Sequence, residues 1–208
     1  MIMDSNKSLE EIYNYRFFRQ RHKLMWRMPV ICEPIASLTR AKSVVDIGCA
    51  IGDLVKGFLD LGLDAWGIEG STVAKQYLVA PLERIVFTDI RFTSKQEAMD
   101  RQFDVVLCLE VLEHIEKRYE DHILQFLSEL ADDWIIVSAA PPGCLGTNHV
   151  NLNTAQYWID RFIQLGFVQD IPVRQALLGE WEPYRHGDGV RAYYEHTLVF
   201  RRKHGKSR

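Results

Sequence analysis

The 208-residue sequence has few of the features that mark membrane, secreted or nucleic-acid-binding proteins. No apolar run approaches the roughly 20 residues of a membrane-spanning helix, and residues 1–7 lack the apolar core of a signal peptide. Lysine and arginine total 25 against 28 aspartates and glutamates, so the net charge of −3 does not indicate a broad basic face. The sequence therefore predicts a cytoplasmic protein without membrane contact, for which nucleic acid is a disfavoured partner.

Cysteine is also scarce. Cys32, Cys49, Cys108 and Cys144 show no metal-ligand spacing, and Cys49 and Cys108 lie in strand or turn contexts typical of buried, reduced thiols. This pattern favours a reducing compartment. The one basic cluster, residues 201–208, is expected to be a solvated chain end.

The chain length and the 47% hydrophobic content are sufficient for one domain, residues 1–208, with a sizeable core. Strand and helix patterns alternate along it, which favours an α/β fold with a doubly wound, mostly parallel sheet. Residues 1–40 are predicted to form a helical N-terminal cap, and residues 174–194 an aromatic insertion before the last strand. Predicted strands cover 44–47, 64–69, 84–88, 103–109, 134–139, 167–173 and 197–201. Predicted helices cover 8–28, which Pro29 would end, then 30–38, 54–59, 71–79, 119–130 and 154–166, while 91–102 is a loop or short helix.

The most informative stretch runs from Val44 to Asp53, where an apolar run breaks on glycines and passes into a helical pattern. A strand, a glycine turn and a helix form the front half of a nucleotide-binding unit. Gly48 and Gly52 allow a sharp turn and a close approach of a ligand. The next strand ends in Glu69, 17 residues beyond Gly52, which is the place for a carboxylate that accepts hydrogen bonds from ribose hydroxyls.

Four ordered motifs resemble those of the class I S-adenosylmethionine-dependent methyltransferases, and in particular the small-molecule O-methyltransferases of the ubiquinone-biosynthesis type. They are Asp46-x-Gly48-x-Ala50-x-Gly52, Glu69, Phe87-Thr88-Asp89-Ile90, and the run from Phe103 to Ile115. Ala50 replaces the middle glycine of the first motif. The resemblance covers roughly residues 40–140. It implies a seven-stranded Rossmann-like sheet with its last strand antiparallel, and S-adenosylmethionine as cofactor, with S-adenosylhomocysteine as product.

The resemblance also implies roles for individual residues. Backbone around Gly48 and Gly52 would meet the amino-acid end of the cofactor, Glu69 would hold the ribose, and Asp89 would accept from the adenine amino group. Asp46 would orient the loop more than touch the ligand, and a helix cap is the alternative role for Asp89. The full predicted cofactor set is Asp46, Gly48, Cys49, Gly52, Glu69, Gly70, Ser71, Asp89, Ile90 and Leu109.

A second polar group follows the fourth strand. Glu110, Glu113 and His114 have i, i+3, i+4 spacing, which would place them on one face of a helical turn. His149 follows the fifth strand, at the same end of the sheet. The predicted catalytic residues are His149, His114 and Glu110, with His149 or His114 as general base.

Two alternatives remain open for this group. Together with Glu113, the three residues could bind a divalent metal, an arrangement that resembles small-RNA 2′-O-methyltransferases and some quinone O-methyltransferases. They could also be purely structural. The predicted activity is methyl transfer to a hydroxyl, rather than an amine, of a small molecule. A metal-assisted RNA 2′-O-methyltransferase and a non-catalytic cofactor-binding module are the alternatives.

Overall fold

A computed structural model describes residues 8–203, and the predictions for residues 1–7 and for the tail beyond 203 lie outside them. The core is a seven-stranded sheet with the order β3-β2-β1-β4-β5-β7-β6. Its strands are β1 Ser43–Ile47, β2 Asp64–Glu69, β3 Ile85–Phe87, β4 Phe103–Leu109, β5 Ala131–Ser138, β6 Phe167–Gln169 and β7 Leu198–Arg202. The pairs among β1 to β5 are parallel, and β7 runs antiparallel to both β5 and β6. The predicted fold class is confirmed.

Helices cover both faces of this sheet. They are α1 Leu9–Ile12, α2 Tyr15–Arg21, α3 Arg27–Thr39, α4 Asp53–Asp60, α5 Lys95–Ala98, α6 Glu120–Leu130, α7 Ala155–Gln164, α8 Ile171–Trp181 and α9 Arg191–His196. Short 3-10 helices cover His22–Leu24, Thr72–Tyr77, Leu82–Arg84, Leu112–His114, Lys117–Tyr119 and Glu182–Tyr184. Apolar residues of α6 and α7 pack on one face, and those of α3, α4 and α8 on the other.

The central strand β4 shows why the sequence forms this sheet. It pairs with β1 on one side and β5 on the other. Val105, Val106 and Leu107 are consecutive and fully buried, because both faces of the strand are covered. Its carboxyl end therefore emerges in the middle of the molecule, where a ligand can be reached from several elements.

In residues 8–203, none of the helices has the length and apolar character needed to cross a membrane. The cytoplasmic location stays a prediction.

The single helix predicted for residues 8–28 is wrong. Ser8 and Glu11 form the expected capping box, but α1 ends at Ile12 and the Asn14 side chain caps a new helix, α2. Pro29 does not end a helix either. It is the third residue of α3, where a backbone N–H has no intrahelical partner to lose.

Two further boundaries differ. The strand predicted for 167–173 stops at Gln169, because the Asp170 carboxylate accepts from the Val173 amide and starts α8, with a proline in its first turn. Most of the predicted insertion 174–194 is therefore helical. The helix predicted for 71–79 is the 3-10 helix Thr72–Tyr77, and Ser71 donates its hydroxyl to the Tyr13 carbonyl instead of capping it.

Candidate active site

A cavity of about 920 Å³ lies at the carboxyl ends of the central strands. This is the edge at which open α/β sheets bind ligands, and the volume is at the upper end of the range for small-molecule sites. The predicted site residues that border it are Asp46, Gly48, Cys49, Glu69, Gly70, Asp89, Ile90, Leu109, Glu110, His114 and His149. Gly52 and Ser71 were predicted to bind cofactor, but neither borders the cavity.

The glycine turn lets backbone form part of the cavity wall. Gly48 has a φ of +75°, and a Cβ there would lie 2.6 Å from Cγ2 of Val111. Ala50 also has a positive φ, of 51°, which an L-residue adopts only at some cost. Gly52 faces Ala80, so its role is to begin α4 rather than to meet a ligand.

Glu69 connects two loops around the cavity. Its carboxylate accepts from the Ala50 amide at 2.9 Å and from the Ser71 amide at 2.7 Å. Burial raises the pKa of this carboxyl to about 7, although the amide hydrogen bonds act in the opposite direction. Each carboxylate oxygen has a second lone pair, so Glu69 can still accept from a diol.

Asp89 has a partner that the sequence did not indicate. Arg91 binds it through two nitrogens, Nε to Oδ1 at 3.0 Å and Nη2 to Oδ2 at 2.7 Å. Within residues 8–203, Asp89 caps no helix. Oδ1 also accepts from the Arg91 backbone amide at 3.0 Å, so Oδ2 is the oxygen better placed to accept from a ligand, and the pairing with Arg91 fixes its direction.

A buried ion pair behind the glycine turn was also missed. Arg27 donates through Nε and Nη2 to Oδ2 of Asp53 at 3.1 and 3.0 Å, and through Nη1 to the Gly189 carbonyl. Asp46 lies nearby, and burial together with the Asp53 charge raises the pKa of its carboxyl. Nothing in the apolar stretch around Arg27 signals a partner 26 residues later in the chain.

The turn after β4 differs from the predicted helical turn. Glu110 has a φ of +55° and precedes the 3-10 helix Leu112–His114, so the three residues do not share one helical face. The Glu110 carboxylate lies 3.4 Å from Nδ1 of His196, at the end of α9. Burial alone would raise the pKa of Glu110, but hydrogen bonds from His196 and Ser138 outweigh it and lower the pKa.

Glu113, unlike Glu110, lies in an environment that raises the pKa of its carboxyl. Its side chain is fully buried, and neither carboxylate oxygen makes a hydrogen bond of good geometry within residues 8–203, although the Ala140 backbone and the Glu110 carboxylate lie close enough to affect its pKa. Burial, with the Glu110 charge added, raises the pKa of Glu113 to about 8. An unpartnered buried carboxyl on a cavity wall points to a ligand that completes it.

Two imidazoles face each other beside Glu113. The rings of His114 and His149 are 5.0 Å apart between centroids. Nδ1 of His114 lies 3.1 Å from the Asn148 carbonyl, and Nδ1 of His149 lies 3.3 Å from the Cys144 carbonyl. A neutral ring that donates from Nδ1 leaves Nε2 as an acceptor. Burial lowers the pKa of His114 to about 4.

The loop that carries His149 is tied to the turn that carries His114. The backbone carbonyl of Glu113 accepts from the Val150 amide at 2.8 Å and from the Asn151 amide at 3.0 Å. At Gly146, a Cβ would overlap the His149 ring. The absence of a side chain there is therefore what allows the ring its place.

One ligand atom from each of Glu113, His114 and His149 lies within 4.8 Å of the other two. A carboxylate oxygen and two imidazole nitrogens form a mixed donor set that suits a divalent cation. Glu110, which was predicted as a fourth member, is not in this set.

The two N-terminal helices contribute residues to the cavity wall. The sequence predicted only a helical N-terminal cap for this region. Residues of both helices border the cavity, among them Phe17 and Arg21 of α2, and so does Tyr13, which lies between α1 and α2. By contrast, α3 packs into the core through Ile31 and Ile35.

The sheet order, the glycine turn and the acid at the end of β2 define the class I methyltransferase architecture. The sequence model described as "Methyltransferase domain" matches residues 11–170, and the chain belongs to this family. This confirms the predicted methyltransferase class. A structure of the same fold was solved with bound S-adenosylmethionine and with bound S-adenosylhomocysteine, which supports the predicted cofactor.

The chain is similar to the ubiquinone biosynthesis O-methyltransferases of Dechloromonas aromatica, at 36% identity, and Pseudomonas aeruginosa, at 41%. Each match covers 78 residues, 36% of this chain and 34% of the relative, so the chain matches about a third of the length of these curated relatives.

Two solved structures share the fold. The magnesium protoporphyrin IX methyltransferase of Synechocystis PCC 6803 with bound S-adenosylhomocysteine gives a TM-score of 0.57 at 17% identity, covering 93% of this chain and 92% of that one. The sugar N-methyltransferase of a Streptoalloteichus species gives a TM-score of 0.64 at 14% identity, and the match covers 98% of this chain and 96% of that one.

Proposed function

We propose that the protein transfers the methyl group of S-adenosylmethionine to a hydroxyl group of a small molecule. The observation that carries this proposal is the cavity-bordering His149, whose Nδ1 is held by the Cys144 carbonyl while Nε2 makes no hydrogen bond within the described chain. The similarity to O-methyltransferases favours oxygen as the acceptor atom.

The residues of the cavity fit the cofactor. Gly48 gives a wall without a side chain, and Glu69 offers two carboxylate oxygens for the ribose hydroxyls. Asp89 and the Ile90 backbone would hold the adenine. When bound, the cofactor supplies a methyl group activated by a sulfonium. The protein has to position the acceptor and remove its proton.

We assign the proton to Nε2 of His149. A proton arriving there makes an imidazolium whose Nδ1–H remains hydrogen-bonded to the Cys144 carbonyl. His114 is a weaker candidate, because a pKa of about 4 leaves it with little basicity at neutral pH. Glu110 is paired with His196, so we give it a positioning role.

The test is methyl transfer from labelled cofactor to a panel of phenols, sugars and an RNA oligonucleotide. We expect His149→Ala to lower turnover by roughly 10²–10⁴ and to leave S-adenosylhomocysteine affinity unchanged. Gly146→Ala should give the same defect by displacing the ring. The exposed His186 provides a matched control, His186→Ala. Normal turnover in His149→Ala, or a preference for the RNA, would contradict the proposal.

A metal-assisted form of the reaction is the second candidate, favoured by the unpartnered carboxyl of Glu113. Glu113, His114 and His149 would each give one ligand atom to the cation, which would lower the pKa of a bound hydroxyl. Activity would then be lost with chelator and restored by Mg²⁺ or Mn²⁺. Glu113→Gln would share the defect of His149→Ala. Insensitivity to chelator would leave His149 as the base.

A further inference from the structure

Arg21 is a fixed cation at the cavity. It is the last residue of α2, a helix anchored by the fully buried Phe18, whose ring stacks with Tyr77 at 6.4 Å. Phe17 and Arg21 are four residues apart and both border the cavity. The Arg21 guanidinium lies 4.4 Å from the centre of the Phe17 ring, a cation–π contact that holds it in place.

Arg21 differs from the other arginines that border the cavity because it has no acidic partner. The others form ion pairs: Arg27 with Asp53 at 3.0 Å, Arg91 with Asp89 at 2.7 Å, and Arg118 with Glu116 at 2.7 Å. Within residues 8–203, no carboxylate lies within 4.0 Å of Arg21. Its charge acts on the Glu69 carboxylate and the His114 imidazole only through space, so no ion pair withdraws it from a ligand.

A continuous series of aromatic contacts leads from the proposed base to this cation. The His149 ring contacts His114 at 5.0 Å, His114 contacts Tyr13 at 5.9 Å, and Tyr13 contacts Phe17 at 5.1 Å. Arg21 lies over Phe17 at the far end. An elongated aromatic acceptor packed along this wall would place a hydroxyl at the His149 end and a negative group at the Arg21 end.

We propose that the methyl acceptor is an aromatic anion, carrying a carboxylate or a phosphate that Arg21 binds. The inference rests on the proposed function, since it assumes that the hydroxyl lies at His149. Guanidinium recognises both anions through paired, charge-assisted hydrogen bonds. The carboxylate of the cofactor itself is the competing occupant.

The test is calorimetric titration of the protein loaded with S-adenosylhomocysteine. The probes are para-hydroxybenzoate, phenyl phosphate and phenol, and the proteins are wild type, Arg21→Gln and Arg21→Lys. The control is Arg19→Gln, which removes the same charge from the exposed side of the same helix. Thermal melts verify folding, and Arg21→Lys keeps the charge if the glutamine variant fails to fold.

We expect at least one anionic probe to bind wild type about tenfold tighter than phenol. Arg21→Gln should weaken that probe by about 10- to 100-fold, while phenol and S-adenosylhomocysteine change little. Arg21→Lys should keep part of the affinity, and Arg19→Gln all of it. The tighter of the two anions identifies the acceptor group.

Three results would overturn the inference. The first is that the anionic probes bind wild type no more tightly than phenol does. The second is that Arg21→Gln binds the anionic probes as tightly as wild type. The third is that Arg21→Gln loses affinity only for S-adenosylhomocysteine, which would assign Arg21 to the cofactor. Failure of methyl transfer with anion binding intact would instead refute the proposed function alone.

Discussion

Replacing Glu69 by glutamine should damage stability and cofactor binding together. The carboxylate accepts from the Ala50 and Ser71 amides, and a glutamine side chain has only one acceptor oxygen. One buried N–H would be left unpaired, which should lower the free energy of unfolding by about 1–3 kcal/mol. For a chain of this size, that loss lowers Tm by about 2–12 °C. S-adenosylhomocysteine should bind about 10- to 100-fold more weakly, because a charge-assisted bond is lost.

The pH dependence provides a second readout for Glu69. Burial raises its pKa from 4.5 to about 7 in the folded protein. The folded state therefore keeps this proton up to a higher pH than the unfolded state does. The resulting contribution to the free energy of unfolding is fully present below pH 4.5 and is lost as pH rises through 7. The total is on the order of 3 kcal/mol. The Tm advantage of wild type over Glu69→Gln should thus shrink between about pH 5 and pH 8.

Scanning calorimetry across this pH range measures the change in Tm, and titration calorimetry measures the loss of S-adenosylhomocysteine affinity. Glu83 is exposed, so Glu83→Gln is the matched control and should melt in parallel with wild type. The reasoning would be refuted if Glu69→Gln also melted in parallel with wild type at every pH and bound S-adenosylhomocysteine equally well.

Two other predictions test the surroundings of the glycine turn. Gly48→Ala should abolish S-adenosylhomocysteine binding in titration calorimetry, because the new methyl would lie 2.6 Å from Val111. Gly62 has a similar φ, but a Cβ there would meet no atom within 4 Å. Gly62→Ala should therefore lower the free energy of unfolding by only about 1–2 kcal/mol and leave S-adenosylhomocysteine affinity unchanged. Equal S-adenosylhomocysteine affinity in the two variants would contradict this prediction. Arg27→Gln should lower the urea-unfolding free energy by about 3–5 kcal/mol by leaving Asp53 buried and unpaired. Adding Asp53→Asn should recover part of this loss, and full stability of the single variant would be inconsistent with the buried pair.

Much of the fold follows from local patterns. Apolar residues predominate in β1 and β4 because these strands are covered on both faces, and this composition is visible in the sequence. The glycine turn and Glu69 could be placed because their spacing follows from the βα unit itself. These features depend on neighbouring residues, which a single sequence displays.

The errors arose where distant contacts or capping chemistry prevailed. The sequence between Phe167 and Val173 looks like a strand, and only the Asp170 cap with Pro172 in the first turn indicates a helix. The ion pair of Arg27 with Asp53 has no local signal at all. The site residues themselves stay predictions, although most of them border one cavity.

The carbonyl of Glu113, which accepts from both the Val150 and Asn151 amides, has a mechanical consequence. The segment bearing His149 cannot swing outward without releasing both bonds from the turn bearing His114. The relative position of the two imidazoles therefore depends on two backbone hydrogen bonds as well as on the contact between the rings. Loss of these bonds would separate the imidazoles and so take apart the proton acceptor that they form together.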